Sequence, residues 1–324
     1  MGRRKGWLAA VSETEKIDIL EEVLGSFYRE GASQLLFACP KCEHHKKKLS
    51  INVEKGLFKC WVCDWSGRNL YRIIRSYGNY QQKQIWRRFN QQVEVNDFAE
   101  KLFGETSNPD VKHKIELPCG FVSLANKSLP TSSKYPLNYL ESRGLTKSDI
   151  LKWKIGYTAD GEYAGRVIVP SFDLDGDINY CIGRSYNNSW PKYKNPKAPK
   201  NMIFNHLYTD FDDDITIVEG VFDAIKAGYN SIPLLGSTLT EQSRLFKEIV
   251  QNSAPVYLAL DSDAKKKADK IIKLLLKYDV EIYNIDVRPY GDVGEMTKKE
   301  FQRRKDSAGI LTLDNYLINR IQDI

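Results

Sequence analysis

The final third of the chain alternates between short apolar runs and longer segments in which apolar residues recur every three or four positions. The predicted strands and helices, in chain order, are Ile215–Val218, Val221–Ala227 (helix), Ser231–Leu235, Leu239–Val250 (helix), Val256–Leu260, Ala264–Tyr278 (helix) and Glu281–Val287. Segments of these lengths suit parallel strands joined by crossover helices. The pattern therefore predicts a doubly wound α/β sheet.

The middle of the chain has a different pattern. Pro136–Arg143 is a predicted helix, and Thr146 is the N-cap of a second one. The pair has helix-turn-helix spacing, although most such patterns are simply two packed helices. Arg166–Pro170 and Ile178–Arg184 are predicted strands on either side of a turn. We expect an α+β region with a half-open antiparallel sheet.

Towards the N-terminus, a capping box at 12–15 predicts an amphipathic helix. Ser50–Val53 and Leu57–Lys59 are predicted to form a hairpin. Residues 79–130 have a weak core pattern, which indicates a linker or a loosely packed helix and loop.

Composition adds two limits. No stretch approaches the roughly 18 apolar residues of a membrane helix, and the basic start lacks the apolar core of a signal peptide, so we expect a cytoplasmic protein without membrane contact. The net charge of +6 indicates little by itself, but residues 184–200 hold five basic residues and no acid.

Four of the six cysteines form two C-x-x-C pairs, Cys39/Cys42 and Cys60/Cys63, separated by 17 residues. Four thiolates at this spacing can bind one structural Zn²⁺ in a tetrahedron. His44 and His45 are alternative ligands, but four sulfurs suffice. A redox disulfide pair is the other interpretation, and it lacks a thioredoxin-like context.

Basic and aromatic residues surround the cysteine pairs. We expect exposed rings beside lysines to bind single-stranded nucleic acid, the rings by stacking on bases and the lysines by contacting phosphates. The alternative is that the rings pack on the first helix and the lysines form a solvated face. The template contacts expected here are Lys48, Phe58, Trp61 and Trp65.

Acidic residues follow three predicted strands of the final third, namely Glu219, the pair Asp261 and Asp263, and Asp292 after a short loop. Ligand sites of such sheets lie beyond the carboxyl ends of the strands. Two carboxylates about 4 Å apart repel by about 4 kcal/mol at an effective dielectric near 20. A lone Asp-x-Asp is usually a cap or a solvated turn, but the shared position predicts an Mg²⁺ or Mn²⁺ site.

These residues resemble the Toprim domain, with Glu219-Gly220-Val221-Phe222-Asp223 as its first acidic motif and Asp261-Ser262-Asp263 as its paired aspartates. From about residue 12 to 296 the chain is similar to DnaG-type DNA primases, most of all to stand-alone phage primases. The other matching segments are 60–67, 139–145, 155–157, 166–170, 183–184, 192–195 and 235–238.

The resemblance implies a Rossmann-like Toprim core, an α+β basic subdomain and an N-terminal zinc ribbon. The implied segments are 1–78 (zinc-binding), 79–130 (linker), 131–213 (basic subdomain of the RNA polymerase domain), 214–296 (Toprim) and 297–324 (helical tail). The implied activity is synthesis of short RNA primers on single-stranded DNA from ribonucleoside triphosphates.

The resemblance also implies residue roles. Glu219 would be the general acid or base, and would hold magnesium with Asp261 and Asp263; Asp292 would complete the catalytic set. The residues implied to bind template and nucleotide are Arg166, Arg184, Lys192, Lys194 and Asn195. In a departure from the family, Gly294 stands where a second acid often sits, which leaves the role of Glu295 open.

Many bacterial members use three cysteines and one histidine, whereas this chain has four cysteines, as phage primases do. The chain contains no Gly-x-x-x-x-Gly-Lys-Ser/Thr motif, so we expect the replicative helicase to be a separate protein. The apolar residues of the tail either dock that helicase or pack on the Toprim sheet. The alternative functions are a Toprim-type nuclease and a non-catalytic single-stranded DNA-binding replication module; a topoisomerase would need a further domain that carries its tyrosine.

Overall fold

The computed structural model of the chain describes residues 13–30, 34–67, 69–86, 115–313 and 315–316. The chain divides into two compact units, residues 1–107 with 251–253, and residues 108–250 with 254–324. Ser12 of the predicted capping box and residues 87–114 of the predicted linker lie outside the described residues.

Within the described residues, the first unit contains helices α1 and α2, a helical segment at residues 80–86 and an antiparallel sheet of order β1-β2-β3-β4-β5. Its elements are α1 (Glu13–Leu24), β1 (Tyr28–Arg29), β2 (Gln34–Phe37), β3 (Leu49–Asn52), β4 (Leu57–Cys60), β5 (Ser66–Gly67) and α2 (Tyr71–Tyr77). The predicted hairpin corresponds to β3 and β4. The prediction omits the other three strands; β1 and β5 have only two residues each, too few for alternation to reveal them.

One face of this sheet carries the core of the first unit. Ile17 and Leu20 of α1 and Tyr71 of α2 pack with the inward side chains of the sheet, such as Phe37 and Ile51. Each of these large apolar side chains contributes about 1.5–3 kcal/mol when it is fully buried. The opposite face carries polar residues such as Lys59 together with the apolar residues Leu36 and Leu57.

The second unit begins with an antiparallel sheet of order β10-β9-β8-β7-β6 and two helices. Its elements are β6 (Val122–Ser123), α3 (Lys134–Ser142), α4 (Lys147–Lys152), β7 (Gly156–Thr158), β8 (Arg166–Phe172), β9 (Ile178–Ser185) and β10 (Tyr193–Lys194). The prediction of Thr146 as an N-cap is confirmed: Asp149 N donates to Thr146 Oγ1 at 3.3 Å, and Thr146 N donates to Asp149 Oδ2 at 2.8 Å.

A parallel sheet of order β12-β11-β13-β14 follows, which confirms the predicted doubly wound arrangement. Its elements are β11 (Ile215–Val218), α5 (Val221–Ala227), β12 (Ser231–Pro233), α6 (Arg244–Gln251), β13 (Val256–Ala259), α7 (Lys265–Lys277), β14 (Ile282–Asn284) and α8 (Lys298–Ser307). Val218 of β11 lies beside Ala259 of β13, so the segments after both strands leave the sheet at one edge.

The described part of the tail packs on the second unit. Phe301 is buried in its core, Leu311 N donates to Ile282 O at 2.7 Å, and Ile310 forms an antiparallel bridge with Tyr283. Residues 317–324, which include the last apolar positions of the tail, lie outside the described residues. Within the described ranges, no helix has the length and apolar character needed to cross a membrane.

Candidate metal centres and nucleic-acid interface

The four cysteines converge in the first unit. Cys39 Sγ lies 3.8 Å from Cys63 Sγ, Cys42 Sγ lies 3.8 Å from Cys60 Sγ, and all four sulfurs lie within 4.8 Å of one another. Four sulfurs about 2.3 Å from one Zn²⁺ at tetrahedral angles would be about 3.8 Å apart. The geometry therefore fits zinc, and the predicted ligand set is brought together.

Local backbone geometry brings the sulfurs to this position. The residue after each pair, Glu43 and Asp64, has a left-handed φ of 49° and 54°, which turns the chain back around the site. Cys60 ends β4 opposite Leu49, and Val62 N donates to Cys60 Sγ at 3.4 Å. The C-x-x-C spacing thus produces two similar turns joined by one hairpin.

The structure corrects two of the four expected template contacts in this unit. Phe58 is only 3% exposed, and it packs against Trp65 in the core with ring centroids 4.8 Å apart. Both side chains lie on the inner face of the sheet, under α1 and α2, so neither ring is available for stacking on a base. The lysines near these rings in the sequence suggest exposure, but alternation along β4 points Phe58 inward.

The other two expected contacts lie on the surface. Trp61 is 63% exposed, with Lys59 Nζ 4.9 Å from its ring centroid, and Trp61 N donates to the carbonyl of exposed Lys48 at 3.0 Å. Tyr28, at the far edge of the sheet, repeats the arrangement, with Lys47 Nζ 4.5 Å from its ring centroid. Tyr28 could have been found only by recognising the short strand β1.

In the second unit, the acidic residues gather at the carboxyl edge of the parallel sheet. Burial raises the pKa of Asp261 to about 7, and the charges of Asp223, Glu219, Asp292 and Asp263 add to this rise. Asp261 therefore has all the other predicted acids in its electrostatic neighbourhood. Their oxygens are less tightly grouped than the cysteine sulfurs: of the described residues, only the cysteines place three or more ligand atoms within 4.8 Å of one another.

Asp223 is the member of this group that the residue-by-residue prediction omits, although it stands in the first acidic motif. Its buried carboxylate accepts from Gly220 N and from Gly294 N, each at 2.9 Å, and so joins the loop after β11 to the loop after β14. Burial, together with the charge of Asp292, raises the pKa of Asp223 to about 6. Its spacing, four residues after Glu219, is the signal that could have identified it.

Glu219 is held by a cation of the protein itself. Lys267 Nζ of α7 lies 2.8 Å from Glu219 Oε2, and both side chains are about one fifth exposed, at 21% and 19%. Glu219 Oε1 is buried without a hydrogen-bond partner in the structure. A carboxylate with one paired oxygen and one unsatisfied buried oxygen has ligand capacity left for a metal or a proton donor.

The structure gives a physical reason for glycine at position 294. A Cβ at this position would lie 2.9 Å from Asp223 Oδ1 and 3.1 Å from Asp292 Oδ1. The side chains around it cap backbone groups, since Glu295 N donates to Asp292 Oδ1 at 2.9 Å and Gly291 N donates to Glu295 Oε2 at 2.7 Å. In this structure Glu295 therefore orders the loop that presents Asp292.

Basic and aromatic residues of the antiparallel sheet border the acidic edge. The guanidinium of Arg184 donates to the Tyr193 hydroxyl and lies 5.8 Å from the ring centroid of Phe222. The guanidinium of Arg143 lies 5.0 Å from the same ring centroid. Burial raises the pKa of Tyr193, and the negative charge of Asp223 adds to this rise, so Asp223 lies close enough to affect the group electrostatically. Arg143 is a further residue that the prediction omits, and it lies in a matching segment of the resemblance.

The remaining predicted template and nucleotide contacts differ in their surroundings. Arg166 is buried and donates to Ala164 O and Pro191 O at 3.1 and 2.9 Å, so its guanidinium supports a loop. Lys194 Nζ pairs with Glu162 Oε1 at 2.9 Å. Lys192 is exposed, and Asn195 Oδ1 is buried without a hydrogen-bond partner in the structure.

Several known proteins are similar to this chain, although no protein-family model matches it. A DNA primase of Thermotoga maritima is 27% identical over 346 aligned positions, which cover 88% of this chain and 58% of the relative. A DNA primase of Clostridium acetobutylicum is 23% identical over 336 positions, which cover 86% and 54%. The chain thus spans somewhat more than half the length of these two relatives.

Among solved structures, the DnaG primase catalytic domain bound to ssDNA matches with a TM-score of 0.51 and 18% identity. The match covers 59% of this chain and 76% of that one, and it shows a similar fold. Over both units the chain is thus similar in sequence to two DNA primases, and its fold is similar to that of a solved DnaG primase catalytic domain.

Proposed function

We propose that the protein is a DNA primase, a DNA-directed RNA polymerase that makes short RNA primers on single-stranded DNA. The observation on which the proposal rests is the acidic group around Asp261 at the edge of a parallel sheet, bordered by the cationic group of Arg184 and Arg143. Such a site suits a reaction between two polyanionic substrates, because the acids can hold divalent cations and the arginines can pair with phosphates.

A catalytic Mg²⁺ or Mn²⁺ is part of the proposal. The donor set consists of carboxylate oxygens, and Glu219 Oε1 is a buried oxygen without a partner. Mg²⁺ usually keeps several waters and takes one or two carboxylates directly, so the looser spacing of these acids is compatible with it. Glu219, Asp261 and Asp263 would hold the ion and Asp292 would complete the set; when bound, the ion would neutralise charge on the phosphates.

In the proposed reaction, the 3′-hydroxyl of one ribonucleotide attacks the α-phosphate of a second ribonucleoside triphosphate. A P–O bond forms to the 3′-oxygen, the bond between the α- and β-phosphates breaks, and pyrophosphate leaves. Glu219 is the candidate for accepting the hydroxyl proton. Arg184 and Arg143 would orient phosphates, while Asp223 would keep the two acid-bearing loops in register through Gly220 N and Gly294 N.

Template binding is assigned to two surfaces. On the first unit, Trp61 with Lys59 and Tyr28 with Lys47 provide stacking rings beside phosphate-binding ammonium groups. On the second unit, the basic segment 184–200 provides charge next to the acidic edge. The relative solved with single-stranded DNA bound supports this choice of template.

The experiment is primer synthesis from labelled ribonucleotides on random single-stranded DNA with Mg²⁺. We expect short RNA products, and we expect Glu219→Gln to reduce synthesis by about 10²–10⁴-fold, the range for loss of a general acid or base. The matched control is Glu241→Gln, which breaks a pair with Lys277 that lies away from the acidic edge. Full activity in Glu219→Gln would refute the assignment.

The same assay separates the alternative functions. Cleavage of the DNA without RNA synthesis would favour a Toprim-type nuclease, and template binding without either reaction would favour a non-catalytic binding module. A separate replicative helicase as partner, a cytoplasmic location and a special closeness to phage primases complete the proposal. The four-cysteine set supports the last of these.

A further inference from the structure

Trp190 stands out on the surface of the second unit. At 91% exposed, it is the most exposed large apolar side chain among the described residues. It lies in the loop of residues 186–192 that joins β9 to β10, the two strands that present Arg184 and Tyr193 beside the acidic edge. Single exposed apolar residues are common, so exposure alone indicates no function.

The loop around Trp190 is held in place by specific hydrogen bonds. Buried Arg166 donates to Pro191 O at 2.9 Å, directly after the tryptophan. On the other side, Asn187 Oδ1 accepts from Ser189 N at 3.3 Å and from Ser189 Oγ at 2.7 Å. The ring is therefore presented from a fixed backbone, which lowers the entropic cost of a contact.

The surroundings of the ring favour one kind of partner. The segment 184–200 contains five basic residues and no acid, and exposed Lys192 follows Trp190 by two positions. The only other exposed large apolar side chain of this segment is Tyr193. A protein interface would need a broader apolar patch, whereas one ring beside cations is suited to a base and its phosphates.

We propose that Trp190 stacks on an unpaired base of the single-stranded DNA template where the template approaches the acidic edge, with Lys192 contacting the adjacent phosphate. This inference deepens the proposed function and rests on it for the identity of the strand. Arg166 then acts as a positioning residue, because it holds the loop and leaves the DNA contact to Trp190.

The first test is the affinity of the full chain for labelled single-stranded DNA, measured by fluorescence anisotropy in EDTA and without nucleotides. Trp190→Ala should weaken binding about tenfold, as expected for loss of one stacked base, and Trp190→Phe should retain most of the affinity. The matched control is Leu174→Ala, since Leu174 is 64% exposed in the turn at the other end of the β8–β9 hairpin. Equal affinity of wild type and Trp190→Ala would overturn the proposal.

A second test identifies the contact through templates with one abasic position. At one position, loss of the base should weaken wild-type binding about tenfold and leave binding by Trp190→Ala unchanged, because the stacking partner is already missing. If no position shows this coupling, or if Trp190→Ala raises the KM for ribonucleotides while template affinity stays normal, the template contact is wrong.

The two proposals fail in different ways. A protein that shows the coupling but makes no RNA under any condition would refute the proposed primase activity and leave the DNA contact in place. A protein that makes primers, with Trp190→Ala binding the template as well as wild type does, would refute the Trp190 contact alone.

Discussion

The cysteine site and the acidic edge contain similar numbers of candidate metal ligands, but these residues are brought together over very different distances along the chain. The cysteines lie within 25 residues, as two pairs joined by one hairpin, and their sulfurs meet at zinc spacing. The acids are spread from Glu219 to Asp292 and meet only because β11, β13 and β14 end at one edge. The first geometry is set by local backbone turns and the second by sheet topology.

The two sites also differ in how they balance charge. The cysteine site gathers four sulfurs within 4.8 Å of one another, and a zinc ion bound between them would balance the charge of their thiolates. At the acidic edge, Lys267 pairs with Glu219, and burial together with the neighbouring acids raises the pKa of Asp261. Under the proposed function, the acidic edge would therefore stay folded without a metal ion, whereas the cysteine site would depend on zinc for its fold.

The largest expected effect follows from this dependence. Cys60→Ser should remove the zinc and unfold the first unit, because structural zinc contributes about 10–16 kcal/mol to the folding of small modules. The measurements are zinc content by mass spectrometry and hydrogen exchange of α1 and β1–β5. Cys119→Ser, at an exposed free cysteine, is the control. Retention of one zinc per chain in Cys60→Ser would contradict the ligand assignment.

The same contrast explains what the sequence could predict. The C-x-x-C spacing specified the zinc ligands, and the strand and helix rhythm specified the parallel sheet and which edge carries the acids. It could not specify Asp223 as the buried link between Gly220 and Gly294, because that contact joins residues 71 positions apart. Nor could the sequence show that Lys267 forms an ion pair with Glu219, since the charged residues of α7 are equally compatible with a solvent-exposed helix face.

The aromatic residues of the first unit illustrate a different limit. Phe58 and Trp61 are both flanked by lysine or cysteine, and only the inward and outward alternation of β4 separates a core ring from a surface ring. The composition correctly predicted that aromatic and basic side chains share a surface of the first unit. It assigned Phe58 and Trp65 to the wrong face, because the four residues of β4 offer little pattern and Trp65 lies between β4 and β5, outside either strand.

Phe58→Ala and Trp61→Ala form the next test. Phe58→Ala should lower the free energy of unfolding by about 3–5 kcal/mol, because it leaves a cavity in the core. Trp61→Ala should change stability by less than about 0.5 kcal/mol and weaken binding of single-stranded DNA about tenfold. Chemical denaturation and fluorescence anisotropy measure the two quantities. Equal destabilisation by both substitutions would contradict the assignment of inner and outer faces.

A smaller effect is expected from the raised pKa of Asp261. The folded pKa of about 7 exceeds the ordinary value of 3.8, so the folded state binds more protons than the unfolded state between these pH values. Stability in EDTA should therefore fall as pH rises from about 4 to 7. Asp261→Asn removes the titrating carboxyl. At pH 8 the free energy of unfolding of this variant should exceed that of wild type by about 1–2 kcal/mol, after allowance for solvent screening.

Thermal or urea unfolding at pH 4.5 and pH 8 checks this expectation. The difference between Asp261→Asn and wild type should shrink at the lower pH, where the wild-type carboxyl is already protonated. Saturating Mg²⁺ should also reduce it, because a bound cation offsets the repulsion among the carboxylates. A difference that is the same at both pH values would mean that the acids do not interact as the structure indicates.

The smallest effect concerns Lys267, and it addresses the contrast between the two sites most directly. If Lys267 serves as the internal counter-charge of Glu219, Lys267→Met should increase the affinity for Mn²⁺ about tenfold, since a competing cation is removed and the carboxylates remain. A tenfold change in affinity corresponds to about 1.4 kcal/mol. This is well below the roughly 4 kcal/mol of interaction between two unit charges 4 Å apart at a dielectric near 20, because water screens part of the interaction. Lys267→Arg keeps the charge and should bind Mn²⁺ as wild type does. Calorimetric titration of Mn²⁺ gives the affinities without reference to catalysis. Equal affinities in all three proteins would show that Lys267 does not compete for the metal position, and the acidic edge would then need another source of charge balance in its metal-free state.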